Sequence, residues 1–264
     1  MLKAKDLKIT FNAGTPIETQ ALRGVSLEIP QGQFVTVIGS NGAGKSTFLN
    51  AISGEQKVDS GEIYFGSTNV TKMPVWERAS MVSRVFQNPL HGTCEDLTIE
   101  ENMALAYRRG LSHNFGRALN TKLRKEIIEK LSVLGLGLEN RLTDSIGLLS
   151  GGQRQAVSLL MASLRPSKIL LLDEHTAALD PRTAHFVLEL TSQLVNEQKL
   201  TTMMVTHSMK QALEYGDRTI MLHQGQIVLD ISGPEREGMS VTDLLKMFEK
   251  VRGEEVSDDA LLLG

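Results

Sequence analysis

One cysteine, Cys94, in 264 residues excludes an internal disulfide and suits a reducing compartment, with packing or simple tolerance as the role of a lone thiol. Long apolar runs are also missing. Stretches such as Ile169-Leu170-Leu171-Leu172 extend only a few residues, against the roughly 20 that a membrane-crossing helix requires. The opening Met1-Leu2-Lys3-Ala4-Lys5-Asp6 is broken by charge and has no apolar signal region, so export is not expected. A net charge of −3 gives no basis for a general affinity for nucleic acid. No internal repeat or low-complexity segment is evident. What remains is 41% hydrophobic, enough for the core of one large α/β domain or of a domain carrying a lobe.

Gly39-Ser40-Asn41-Gly42-Ala43-Gly44-Lys45-Ser46-Thr47 carries the most information. It has a glycine, four residues, then Gly-Lys-Ser, and lies between the apolar run Phe34 to Ile38 and a helical pattern marked by Phe48, Leu49 and Ile52. Strand, glycine loop and helix in that order make a phosphate cradle. Glycines let successive backbone N–H groups turn inward, and the helix adds its partly positive N-terminus. Lys45 supplies a point charge for the β- and γ-phosphates, and the Ser46 hydroxyl is a ligand for Mg²⁺.

Around this loop the pattern alternates between strand and helix. Leu7, Ile9 and Phe11, then Val25, Leu27 and Ile29, have the period of half-buried strands and suggest a small antiparallel region. Strands are expected at 62 to 66 and 81 to 86. From about 90 to 165 strand patterns vanish, and helices are expected at 98 to 108, 119 to 134 and 153 to 165, which reads as an inserted helical lobe. Buried strands return at 169 to 172 and 202 to 206, with a helix marked by Phe186, Leu190 and Leu194 between them. A hairpin follows around His223-Gln224-Gly225-Gln226, then a helix near 241 to 251 and an acidic tail through Asp258 and Asp259.

Two further stretches narrow the chemistry. Asp173 and Glu174 follow an apolar strand, at the end where open α/β sheets bind ligands. Asp173 suits Mg²⁺ held through its water shell, and Glu174 suits a base that orients or deprotonates an attacking water. A strand-end ion pair or a helix cap would use the same residues. In Leu149-Ser150-Gly151-Gly152-Gln153, Ser150 can cap a helix starting near Gln153, and two glycines leave N–H groups open to a second phosphate. Plain capping needs no more than this.

Taken together, Gly39 to Thr47, Gln87, Leu149 to Gln153, Ile169 to Glu174, Ala178-Leu179-Asp180 and His207 resemble the nucleotide-binding subunit of ATP-binding cassette (ABC) transporters, over residues 3 to 233. The resemblance implies a P-loop NTPase fold: a RecA-like core with an antiparallel β subdomain (1–88 and 166–233), an inserted helical subdomain (89–165), and a C-terminal helix and tail (234–264). It implies ATP and Mg²⁺, and a head-to-tail homodimer in which Ser150, Gly151, Gly152 and Gln153 of one copy reach the γ-phosphate held by Lys45 of the other. His207 would contact the γ-phosphate and hold the water with Glu174. Gln87 would reach Mg²⁺ and the water, and Asp180 would lie across the dimer interface. Phe11 is the candidate for stacking on adenine, with core packing as its rival. His175 departs from the proline many relatives have there and is read as a mark without chemistry of its own.

One cassette without a membrane span resembles the separate ATPase subunits of bacterial uptake systems. The implied partners are an integral membrane permease, faced by the segment from Gln87 to Asn102, and an extracytoplasmic substrate-binding protein. The implied place is the cytoplasmic face of the cell membrane, and the implied role is powering uptake of a small solute such as an amino acid. The alternative is a soluble cassette ATPase serving a process such as iron–sulfur cluster assembly.

Overall fold

A computed structural model describes residues 1–111 and 118–252. The acidic tail lies outside the described residues. The chain forms two compact units: Met1–Arg78 together with the chain from Lys199 onward, and Ala79–Gln198.

In chain order the first unit begins with β1 (Leu2–Phe11), β2 (Thr19–Ile29), β3 (Phe34–Ile38), α1 (Lys45–Ser53), β4 (Ser60–Phe65), β5 (Thr68–Asn69) and the single turn α2 (Val75–Arg78). The second unit holds β6 (Val82–Val85), α3 (Ile99–Tyr107), α4 (Thr121–Ser132), α5 (Gly151–Ser163), β7 (Ile169–Asp173) and α6 (Pro181–Gln198). The chain returns to the first unit with β8 (Thr202–Val205), α7 (Met209–Glu214), β9 (Arg218–His223), β10 (Gln226–Ser232) and α8 (Val241–Arg252).

In the first unit β1, β2, β4 and β5 make an antiparallel sheet in the order β2-β1-β4-β5. Strand β1 changes parity midway: Leu2 and Ala4 are buried, then Leu7 and Ile9. The switch falls at a register shift between Ala4 and Leu7, where Asp6 takes a positive φ of 45°. One extra residue there re-aims the apolar positions toward the same core. Strand β3 is buried along its whole length, as expected of a strand covered on both faces. It pairs in parallel with β8 and with β9, and β10 pairs antiparallel with β9 at its outer side. Ile38, Met209, Met221, Ile231, Leu244 and Phe248 form one apolar cluster, so α8 belongs to the core beneath the end of β3.

In the second unit β6 and β7 pair in parallel, with Val85 level with Leu172. The segments leaving their C-terminal ends, at Gln87 and at Asp173-Glu174, therefore emerge at one edge. Helix α6 buries Val187, Leu190, Thr191 and Leu194, while Phe186 is only half-buried at the margin of that face. Helix α3 starts at a capping box between Thr98 and Glu101.

Helix α1, which follows the glycine loop, is held at its C-terminus by Arg78. This guanidinium is buried and donates to the carbonyls of Ala51 (2.8 Å), Ile52 (3.1 Å), Met73 (3.0 Å) and Thr71 (2.9 Å). The last carbonyls of a helix lack intrahelical donors, and here a cation also meets the negative end of the helix dipole. Arg78→Met would leave several of these acceptors buried without a donor. We expect it to destabilise the protein by about 3 kcal/mol or more, read as a lowered urea midpoint. A change below about 1 kcal/mol would show that water replaces the guanidinium freely.

Candidate functional site

The glycine loop sits where its sequence places it, between β3 and α1. Two of its glycines are forced by close approach of backbone. A Cβ on Gly39 would lie 2.2 Å from the carbonyl oxygen of Leu222, and one on Gly44 would lie 2.5 Å from that of Ala21. Gly44 also has φ of 100°, a conformation costly for other residues. The loop is tied to the β9–β10 turn by the Gly225 N–H, which donates to the Ala43 carbonyl at 3.0 Å, and the Arg23 N–H donates to the Gly225 carbonyl at 2.8 Å. Lys45 is buried and its Nζ donates to the carbonyls of Gly39 (2.7 Å) and Ser40 (3.2 Å), within its own loop. Asn41, Gly42 and Ser46 face solvent.

His207 leaves the C-terminal end of β8. Since Val205 is level with Val37 of the parallel neighbour β3, His207 and the glycine loop share one strand edge. The turn carrying His207 is fixed by the Thr206 hydroxyl, which donates to Gln211 Oε1 at 2.7 Å, and by Ser208, which caps α7. Phe11, in the same unit, is 37% exposed at the end of β1, so it is not a core residue.

In the second unit Ser150 caps α5 through a complete capping box. Its Oγ accepts from the Gln153 N–H at 3.3 Å, and Gln153 Oε1 accepts from the Ser150 N–H at 3.2 Å. The helix begins at Gly151, two residues before the expected start. The two glycines serve different needs. A Cβ on Gly152 would meet Thr183 of α6 at 2.0 Å, whereas one on exposed Gly151 would make only an ordinary 3.6 Å contact with Leu179. Gly152 is therefore a packing requirement, and Gly151 is not.

At the end of β7, Asp173 Oδ2 accepts from Arg84 of β6 at 2.6 Å, with the two side chains only 13% and 10% exposed. Glu174 follows with a positive φ of 46°, an uncommon backbone for a non-glycine residue. Gln87 is exposed just beyond β6. The carbonyl of the preceding Phe86 accepts from the buried Gln155 of α5 at 3.1 Å, which fixes where the Gln87 segment departs. Asp180 is exposed and accepts from the Thr183 N–H at 3.1 Å, and these Thr183 hydrogen bonds hold its carboxyl below the usual range.

Sequence reasoning missed Arg84 and Gln155, and gave His175 too little. Arg84 had a visible signal, a charge inside a strand pattern between Val82 and Val85. His175 is 2% exposed and its Nε2 lies 3.0 Å from Thr191 Oγ1. The Thr191 hydroxyl already donates to the Val187 carbonyl at 2.7 Å, so it accepts from His175, which defines an Nε2–H tautomer. Burial lowers the imidazole pKa to about 4.

Among the described residues no group of three or more His, Cys, Asp or Glu side chains gathers as a metal cage, and no helix is long and apolar enough to cross a membrane. A glycine loop that admits no Cβ at Gly39 or Gly44, a buried lysine and a helix N-terminus after a parallel strand define a P-loop nucleotide-binding α/β protein. Residues 22–177 match the family model for the ABC transporter, and the chain belongs to that family of ATP-hydrolysing cassettes. It is 46% identical over 249 residues, 94% of this chain and 99% of the relative, to the tyrosine transport ATP-binding protein of Clostridioides difficile (strain R20291). It is 34% identical over 245 residues to the energy-coupling factor transporter ATP-binding protein EcfA2 of Acetivibrio thermocellus, covering 93% and 84% of the two chains. The dimeric post-hydrolysis structure of the ATP-binding cassette MJ0796 bound to ADP and Pi is similar at a TM-score of 0.75 and 30% identity, over 88% of this chain and 98% of that one.

The His175 environment has a consequence in acid. Between pH 6.5 and about 4 the unfolded chain takes up a proton here that the folded chain refuses. The stability contributed is therefore present above pH 6.5 and lost as the pH falls toward the folded value, at about 1.4 kcal/mol per pH unit. His175→Asn should flatten the pH dependence of the urea midpoint in that window relative to the parent. Identical slopes would show that the ring is hydrated and titrates normally.

Proposed function

We propose that this chain is the ATPase subunit of an uptake system for a small solute of the amino acid class, with tyrosine as the first candidate. The observation that carries the reading is its similarity, along nearly its full length, to a relative named for tyrosine transport. A separate integral membrane permease takes the segment from Gln87 to Asn102, and an extracytoplasmic binding protein delivers the solute. The cassette works at the cytoplasmic face of the membrane.

The residues present fit Mg²⁺. Ser46 offers an exposed hydroxyl in the first turn of α1 in the first unit, and Asp173 offers a carboxylate at a strand end of the second. Hard oxygen donors, few in number, suit an ion that arrives with substrate phosphates. Ser46 and Asp173 would hold the ion, whose chemistry there would be to offset negative charge on the phosphates. Lys45 and the N–H groups of residues 39 to 47 hold the phosphates, Phe11 stacks on adenine, and Gln87 reaches the metal and the attacking water. Glu174 orients and deprotonates that water, and His207 holds it against the γ-phosphate.

Two copies pack head to tail, so that Ser150, Gly151, Gly152 and Gln153 of one complete the phosphate site of the other and Asp180 lies at the interface. The capping box supports this, because Ser150 Oγ is used as an acceptor and its hydroxyl proton remains to be donated to an anion. ATP joins the copies, and its hydrolysis lets them part, a shift driven by contacts made only with the γ-phosphate. The helical subdomain, residues 89–165, carries these motions to the permease.

Glu174→Gln should lower hydrolysis by about 10²-fold or more while leaving ATP bound, and should trap a dimer visible by gel filtration. Cells carrying it in place of the parent should lose energised uptake of labelled tyrosine. Retained tyrosine uptake would remove that substrate, and a monomer with ATP bound would remove the head-to-tail arrangement. The two glycines sharpen the second point. Gly151→Ala should keep the parent stability and still fail to dimerise with ATP, whereas Gly152→Ala should lose stability outright, by a few kcal/mol in urea denaturation. Normal dimerisation of Gly151→Ala would argue against contact with the partner's nucleotide.

A further inference from the structure

We propose that Arg84 is a positioning residue that opposes metal loading: its guanidinium holds the Asp173 carboxylate and must yield, or be crowded, when a divalent cation comes to that carboxylate. The proposal rests on the reading of Asp173 as the metal-holding group.

The placement follows from strand register. Arg84 of β6 is level with Leu171 of β7, and Asp173 lies two residues further on, on the same face of the strand. Two residues of strand rise separate them along β7, about 6.6 Å, a distance that an arginine side chain spans. The guanidinium meets Asp173 Oδ2 at 2.6 Å, and its carbon lies 4.7 Å from the centre of the Phe86 ring. Phe86 directly precedes Gln87, so one cation touches both the strand-end carboxylate and the root of the segment assigned to the metal and the water. Arg84 and Phe86 also line a groove of about 490 Å³ with Asn102, Leu105 and Ser158, which gives a displaced guanidinium room to turn.

Charge decides the sign of the effect. A carboxylate this little exposed needs a counter-cation, and Arg84 provides one. A divalent ion brought to the same carboxylate meets a full positive charge a few ångströms away, in a site shielded from water. If Arg84 merely braced Asp173 for the metal, removing it would weaken metal binding. If the two cations compete for the carboxylate, removing it tightens metal binding.

The test counts bound Mn²⁺ by electron paramagnetic resonance as it is titrated into the protein at fixed ADP, with ADP affinity in EDTA measured alongside. The parent, Arg84→Met, Arg84→Gln, Arg84→Lys and Asp173→Asn are compared. Both neutral variants should bind Mn²⁺ about tenfold more tightly or better, with ADP affinity in EDTA unchanged, and Arg84→Lys should stay within about threefold of the parent. Asp173→Asn should bind Mn²⁺ more weakly. Unchanged or weakened Mn²⁺ binding in a neutral Arg84 variant that keeps its ADP affinity overturns the proposal while Asp173→Asn still supports the metal assignment. Unchanged Mn²⁺ binding in Asp173→Asn would instead overturn that assignment, and the proposal with it.

Discussion

The first unit depends on backbone meeting backbone at the glycine loop. Gly39 lies against the Leu222 carbonyl and Gly44 against the Ala21 carbonyl, both nearer than any Cβ would allow, and the Gly225 N–H closes on Ala43. These contacts set the loop between the antiparallel sheet and the β9–β10 turn. A phosphate cradle has to keep its N–H groups aimed inward without the phosphate's help, and such an arrangement is stable only where the surroundings over-determine it. The buried Lys45 adds to this, since its ammonium is already satisfied by carbonyls of its own loop. Arg78 does the corresponding work at the far end of α1.

Motifs with a local cause were legible in the residues. The strand, loop and helix around Lys45 follow from pattern and glycine chemistry, and so do the Ser150 cap and the alternation of β2. What depended on register was not legible. That Arg84 reaches Asp173 requires knowing that β6 and β7 are parallel neighbours with Arg84 level with Leu171. That His175 is buried against Thr191 requires the packing of α6. The bulge at Asp6 likewise left no mark in a pattern that read cleanly only from Leu7 onward. Gly151 and Gly152 are equal in sequence and become unequal only when Thr183 is seen beside the second.

A common theme links the second unit's buried polar groups. Arg84 holds Asp173 itself, Gln155 holds the carbonyl of the residue before Gln87, and His175, the residue after Glu174, is held by Thr191. Polar contacts in poorly hydrated surroundings are costly to leave incomplete, so they specify one arrangement strongly. The side chains at the strand ends thus stand on partners that do not tolerate slack.

The two units also differ in how the chain reaches them. Ala79–Gln198 is continuous, whereas the first unit joins both ends of the described chain, and α8 shares its apolar cluster with Ile38, the last residue before the glycine loop. During synthesis the phosphate cradle is made about 200 residues before Phe248, yet its supporting core closes only after Phe248 has emerged. The continuous unit has all its own residues available earlier. The order of manufacture is therefore nearly the reverse of the order of completion, and contacts of such long sequence separation are the slow ones to form.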